Sequence, residues 1–122
     1  GKPSDAYRAY LGRVYYAKSC KDVSDYFVEK MRKYLESLTG DEEAERLKRL
    51  KRTYVAKFTV EKEEIRGDIG YILAKGIAMD WGRRVNCTVR VEMLRETGGW
   101  KIFRHSWTAK MARPKADPLI IK

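Results

Sequence analysis

The sequence is poor in the residues on which many metal sites and nucleophilic active sites depend. Its 122 residues include one histidine, His105, and two cysteines, Cys20 and Cys87. The cysteines lie far apart, without a CxxC spacing or a neighbouring histidine, whereas zinc needs three or four ligands at short spacings. No metal or cofactor is therefore predicted. We expect two buried free thiols, with a disulfide as the alternative in an oxidising compartment.

Long hydrophobic runs are also missing from the chain. No stretch reaches the roughly 18 consecutive apolar residues of a membrane-spanning helix, so none is predicted. The first four residues, GKPS, carry no signal-peptide pattern. A start of this kind is also compatible with removal of a leader, so the residues alone leave the compartment open.

Acidic residues are outnumbered by basic ones, 17 against 27, for a net charge of +10. This charge favours nucleic acid, an anionic membrane or an acidic protein as partner, and a solvated basic surface is the simpler explanation. The basic run RLKRLKR at 46–52 follows an acidic half-helix and complements the helix dipole. Trp81, Arg83 and Arg84 combine an aromatic ring with two guanidinium groups, and they are the predicted contact for an anion or partner.

The apolar residues, 43% of the chain, recur first at helical and then at strand spacing. Helical spacing begins near Ser4, continues from about Asp22 to Leu38, and resumes after Thr39, which predicts three helices. At Tyr54 the period changes to two, and four alternating segments separated by turns predict four antiparallel strands. We expect one α+β domain over residues 4–111, with three N-terminal helices packed on a curved four-stranded sheet, and a C-terminal tail over 112–122.

Three segments resemble the nuclear transport factor 2-like (cystatin-like cone) superfamily. They are DAYRAYLGRVYYAKSCKDVSDYFVEKMRKYLESL, RGDIGYILAKG and GGWKIFRHSW. The likeness spans about residues 4–110 and is to small, often exported bacterial members of unassigned function. It implies helices packed against a conical sheet, and a periplasmic or exported location. Such a fold hosts enzymes, binders and assembly modules alike.

The resemblance also implies a small apolar pocket between the helices and the concave sheet. Its predicted lining consists of Tyr7, Tyr10, Phe27, Phe58, Ile72, Val89, Val91, Trp100 and Ile102. The first functional hypothesis is a non-enzymatic binding or assembly domain that takes a small apolar ligand there. The alternative is a small ketosteroid isomerase-like or dehydratase-like enzyme that uses the same pocket. A second alternative is anion or nucleic-acid binding through the basic clusters.

The enzyme alternative depends on a base inside the pocket. Enzymes of the superfamily use an aspartate or an Asp–His pair with a hydroxyl donor, so Asp25 and His105 are the candidate bases here. The hydroxyl donors are Tyr10, Tyr15 and Tyr26. Strand alternation from Trp100 and Ile102 places His105 on the outer face unless a bulge intervenes. No catalytic residue is therefore predicted, and convergence of either base with a tyrosine hydroxyl would favour an enzyme.

The second predicted strand is apolar on both faces, which indicates a buried outer surface. The predicted outer patch consists of Ile69, Tyr71, Leu73, Leu94, Phe103 and Trp107. Apolar patches of this kind commonly mark interfaces, so we predict a homodimer through the sheet. The alternative is that the C-terminal tail folds back to cover the patch.

Overall fold

The computed structural model describes residues 1–110 and confirms an α+β fold with one open, four-stranded antiparallel sheet. Four helices come first: α1 Pro3–Val14, α2 Lys21–Ser24, α3 Glu29–Ser37 and α4 Gly40–Arg52. The strands follow as β1 Val55–Arg66, β2 Ile69–Asp80, β3 Arg83–Glu96 and β4 Gly99–Ala109, each paired with the next. No helix among the described residues is long and apolar enough to span a membrane. The predicted tail lies outside the described residues.

The second predicted helix is in fact two helices, α2 and α3, separated by an extended segment. In that segment the Val28 N–H donates to the Ile102 carbonyl at 3.0 Å, and the Ile102 N–H donates to the Tyr26 carbonyl at 2.7 Å. Phe27 thereby forms a parallel bridge to Ile102 of β4. The apolar spacing concealed this break because Val23 and Phe27 are buried in either conformation.

The core lies between the helices and the inner face of the sheet. Tyr7, Tyr10 and Val14 of α1 pack there against inward residues of all four strands. All nine predicted pocket residues belong to this core cluster. Most of them therefore pack against other side chains, and Tyr7 and Tyr10 also reach the cavity described below.

The pairing of β4 with β3 contains a bulge that the sequence pattern did not reveal. Met93 pairs with Ile102, and the preceding residue Glu92 pairs with Arg104. Phe103 is therefore an extra residue with no partner on β3. Because side chains alternate along a strand, one extra residue moves every following side chain to the opposite face.

This bulge makes two sequence predictions wrong. His105 lies on the inner face, where its ring contacts Tyr7 and Tyr10, and not on the outer face. Trp107 also lies inside, partly buried against the core, with its Nε1–H donating to the Thr53 carbonyl at 2.9 Å. Trp107 consequently does not belong to the outer patch.

Both cysteines are free and buried, which confirms the predicted thiols. The Cys20 backbone N–H donates to the Glu43 carboxylate at 3.1 Å, which connects the start of α2 to α4. Burial raises the pKa of both thiols. They therefore stay protonated at neutral pH and pack as small apolar side chains.

Candidate functional site

A cavity of about 310 Å³ opens between α1, α4 and the second half of β4. Its inner wall includes Tyr7 and Tyr10 of α1 and His105 of β4, and its rim carries Arg46 and Arg49 of α4. Tyr7 and Tyr10 share one face of α1 because they are three residues apart. Because of the bulge in β4, the imidazole of His105, the only histidine of the chain, points toward these two rings.

His105 and Tyr7 form the polar centre of the cavity. The Tyr7 hydroxyl and His105 Nδ1 lie 3.3 Å apart and share a hydrogen bond, whose donor depends on the imidazole tautomer. Burial lowers the pKa of His105 to about 4, so the ring is neutral at physiological pH. Burial also raises the pKa of Tyr7, which keeps its hydroxyl protonated. The site therefore offers neutral hydrogen-bonding groups.

Three aromatic rings surround the imidazole. Its centroid lies 5.8 Å from that of Tyr7, 5.7 Å from that of Tyr10 and 5.9 Å from that of Phe27, each in an edge-on arrangement. These rings hold the imidazole in a fixed orientation and exclude water from it, and loss of solvent disfavours the charged form. This enclosure by aromatic rings is the physical reason that the pKa of His105 is low.

Trp107 closes the cavity on the side of α4. Its hydrogen bond to the Thr53 carbonyl ties β4 to the residue that follows α4. The Thr53 hydroxyl in turn donates to the Arg49 carbonyl at 2.7 Å. The helix that carries the rim arginines is therefore anchored to the sheet at its C-terminal end.

The rim of the cavity is basic. The exposed Arg46 donates from Nη2 to the Tyr34 hydroxyl at 3.1 Å, and its guanidinium lies 5.5 Å from the Tyr34 ring. Arg49 is also exposed, and the described lining includes no carboxylate. Because two arginines and no carboxylate line the cavity, it favours an anion over a cation.

The other candidate base and donors lie elsewhere. Asp25 follows α2 outside the cavity lining, and its backbone carbonyl accepts a hydrogen bond from Lys101 Nζ at 2.6 Å. Of the predicted donors, only Tyr10 reaches the cavity. Tyr26 packs edge-on against Tyr10 from outside it, with centroids 5.9 Å apart. Sequence reasoning missed Tyr7 as the partner of His105, although helical spacing already placed Tyr7 beside Tyr10.

Five of the six predicted interface residues lie on the outer face of the sheet. Ile69, Tyr71 and Phe103 are exposed, and Leu73 and Leu94 are partly buried. A groove of about 420 Å³ crosses this face, and charged residues as well as apolar ones line it. The outer face is thus less apolar than the sequence pattern indicated.

Trp81, Arg83 and Arg84 lie together and exposed at the turn between β2 and β3.

Within residues 1–110, no three His, Cys, Asp or Glu side chains are placed to hold a metal ion. No protein-family model matches the chain, and no curated protein and no solved structure matches it.

Proposed function

We propose that this chain is a non-enzymatic binding domain of the nuclear transport factor 2-like cone fold, and that its cavity takes a small organic anion with an aromatic or apolar body. The observation that carries the proposal is the pairing of aromatic walls with a rim of two arginines and no carboxylate in the described lining. A volume of about 310 Å³ is at the lower end for ligand pockets, so the ligand is small.

The rim and the interior would hold different parts of such a ligand. A carboxylate or phosphate pairs with a guanidinium group in two parallel hydrogen bonds, which suits Arg49, and Arg46, which is held by Tyr34, adds a second positive charge on the same helix. The apolar body would then pack on Tyr10 and Trp107. The Tyr7–His105 pair can make one further neutral hydrogen bond, to the ligand. That bond would discriminate between ligands by the position of their donors and acceptors.

Proton-transfer catalysis is the second candidate, and the convergence of His105 with the Tyr7 hydroxyl favours it. The pKa of His105 argues against this alternative. A general base is most effective when its pKa lies near the working pH, and an imidazole with a pKa of about 4 is a weak base at pH 7. Binding is therefore the better-supported function.

The test uses a pair of probes that differ only in charge, 2-naphthoate and the neutral 2-naphthamide. We expect naphthoate to bind and to shift the NMR signals of the His105 ring and the Trp107 indole N–H. Arg49→Gln should weaken naphthoate binding about tenfold, the loss of roughly 1.4 kcal/mol expected for one charged hydrogen-bonded contact. The matched control is Lys48→Gln, which removes one exposed charge from α4 outside the cavity lining. Equal affinity for the two probes, or equal effects of the two substitutions, would reject the proposal.

Assembly as a homodimer through the outer sheet face is a separate function, and the arrangement of charges on that face supports it. Two neighbouring rows of side chains cross the face from β1 to β3. One row consists of Lys62, Leu73 and Arg90, and the next consists of Glu64, Tyr71 and Glu92. Consider a two-fold axis that lies between the two rows and runs parallel to them, across the strands. It would place the basic row of each copy opposite the acidic row of the other.

A charge exchange tests this dimer. Glu92→Arg should give a monomer because the introduced guanidinium would face Arg90 of the second copy, and the double variant with Arg90→Glu should restore the dimer. Sedimentation equilibrium provides the measurement, at about 0.15 M salt, where the net charge of +10 on each chain is screened over long distances and contacting charge pairs are screened much less. A parent protein that is monomeric at every concentration rejects the dimer. A double variant that stays monomeric rejects this two-fold arrangement.

A further inference from the structure

Trp81 occupies a backbone conformation that its side chain disfavours. Among the described residues, it is the one residue other than glycine with a positive φ, 50°. Trp81 and Gly82 form a two-residue turn between Asp80 and Arg83, which pair across β2 and β3. The first position of such a turn favours asparagine, aspartate or glycine, because these residues tolerate left-handed backbone. A tryptophan there strains the turn.

Burial of the indole does not offset this strain, because 51% of Trp81 is exposed. The backbone N–H of Trp81 donates to the Arg52 carbonyl at 2.9 Å, a contact that any residue except proline would make. The Arg52 guanidinium lies 5.7 Å from the indole centroid, and at an exposed site such a contact contributes little to stability. Local backbone strain that no structural contact offsets is found mostly at functional sites.

Other aromatic residues lie at the same end of the molecule. The Tyr54 carbonyl accepts a hydrogen bond from the Met79 N–H, which places Tyr54 beside the end of β2. The Tyr54 ring lies 5.9 Å from that of Tyr15, which in turn lies 4.9 Å from that of Tyr16. Tyr16 is 73% exposed, and Tyr15 is also exposed. Several aromatic faces are therefore open to a partner.

Arginines accompany these rings. Arg83 and Arg84 directly follow the turn, and Arg52 ends α4 beside it. Met79, whose N–H donates to the Tyr54 carbonyl, pairs with Arg84 of β3, so Arg84 lies one strand away from Tyr54. We call Tyr15, Tyr16, Tyr54, Trp81, Arg52, Arg83 and Arg84 the aromatic–arginine surface.

We propose that the aromatic–arginine surface binds single-stranded nucleic acid, with Trp81 and the exposed tyrosines stacking on bases and the arginines contacting phosphates. Base stacking on aromatic rings beside a basic track is the general means of binding single strands without reading their sequence. The net charge of +10 would attract any polyanion. An anionic membrane fits less well, because the charged Asp80 and the glycine Gly82 flank the indole where insertion needs aliphatic side chains.

Trp81→Asn tests the proposal because it separates folding from binding. Asparagine suits the turn, so we expect this variant to unfold a few °C above the parent protein. Its affinity for a fluorescein-labelled oligothymidylate of about 12 nucleotides, measured by anisotropy, should fall at least tenfold with the loss of one stacked base. Arg52→Gln and Arg84→Gln should each weaken binding and reduce its dependence on salt concentration.

The control is Tyr34→Asn, which removes an exposed aromatic residue of α3 outside the aromatic–arginine surface and should leave oligothymidylate affinity unchanged. Equal losses in Tyr34→Asn and Trp81→Asn would overturn the proposal. A Trp81→Asn variant that melts below the parent would also overturn it, because Trp81 would then be a structural residue. Binding to phosphatidylserine-containing vesicles without binding to the oligonucleotide would identify the surface as a membrane contact instead.

Discussion

Replacement of Gly76 by alanine is expected to lower the free energy of unfolding by about 2 kcal/mol, within the range for overpacked interiors. A Cβ atom on Gly76 would lie 2.6 Å from the Lys57 carbonyl oxygen and 3.2 Å from the Phe58 Cβ. The Lys57 oxygen belongs to the backbone of the neighbouring strand, so it cannot rotate away as a side-chain atom would. Strand β1 must therefore move, and the inner-face packing of Phe58 moves with it.

Gly12→Ala is the matched control for Gly76→Ala. Gly12 lies inside α1, and apart from its chain neighbours and the backbone of its own helix, no atom lies within 4 Å of the position that its Cβ would take. Alanine has the higher helix propensity, so this variant should gain up to about 1 kcal/mol. Urea unfolding followed by circular dichroism measures both effects. A Gly76→Ala variant as stable as the parent would show that the strands tolerate a wider separation than this packing implies.

Acidification from pH 7.5 to pH 5 should lower the free energy of unfolding by about 2 kcal/mol through His105 alone. Its pKa is about 4 in the folded protein, against about 6.5 in an unfolded chain. Between these values the unfolded chain binds a proton and the folded protein does not, so stability falls as the pH drops below about 6.5. His105 is the only histidine, so no other side chain of that type titrates in this window.

His105→Gln should make the urea midpoint nearly independent of pH between 7.5 and 5, whatever its effect on stability at pH 7.5. The measurement is not affected by the three carboxyl groups whose pKa values are also shifted, those of Asp22, Glu29 and Glu64. Hydrogen bonds and neighbouring cations lower the pKa of all three carboxyl groups, so their contributions are lost only below the pKa of an unfolded carboxyl, about 4. An equally steep decline in the variant would mean that His105 is not the group responsible.

The strands of this protein could be predicted closely because their side chains alternate and glycine-containing turns separate them. Glycine at positions 67, 82 and 99 has a positive φ, as the turn pattern indicated. The helices were less predictable. Burial of Val23 and Phe27 continues across the segment that pairs with Ile102, and an apolar pattern alone cannot distinguish a helical residue from an extended one when both are buried.

The candidate site was only half predictable. The side-by-side placement of Tyr7 and Tyr10 follows from helical spacing, and both were expected inside. The position of His105 depends on the bulge at Phe103, for which the local sequence carries no glycine or other marker. The positions of Arg46 and Arg49 at the rim of the cavity depend on how α4 packs over the end of the sheet. The charge pattern of α4, acidic in its first half and basic in its second, does not specify that packing.

The sequence by itself determined the fold class, the number and order of the strands, the basic charge, and the burial of both cysteines, because these follow from composition and from the period of apolar residues along the chain. The tertiary structure alone decided which face His105 and Trp107 occupy, and hence that the cavity is polar at its centre. It also decided that Trp81 is strained. The physical reason is the same in each case. One unpaired residue in β4, or the geometry of one turn, changes the direction of the neighbouring side chains. Strand pairing joins residues distant in sequence, and it determines where such a residue or turn occurs.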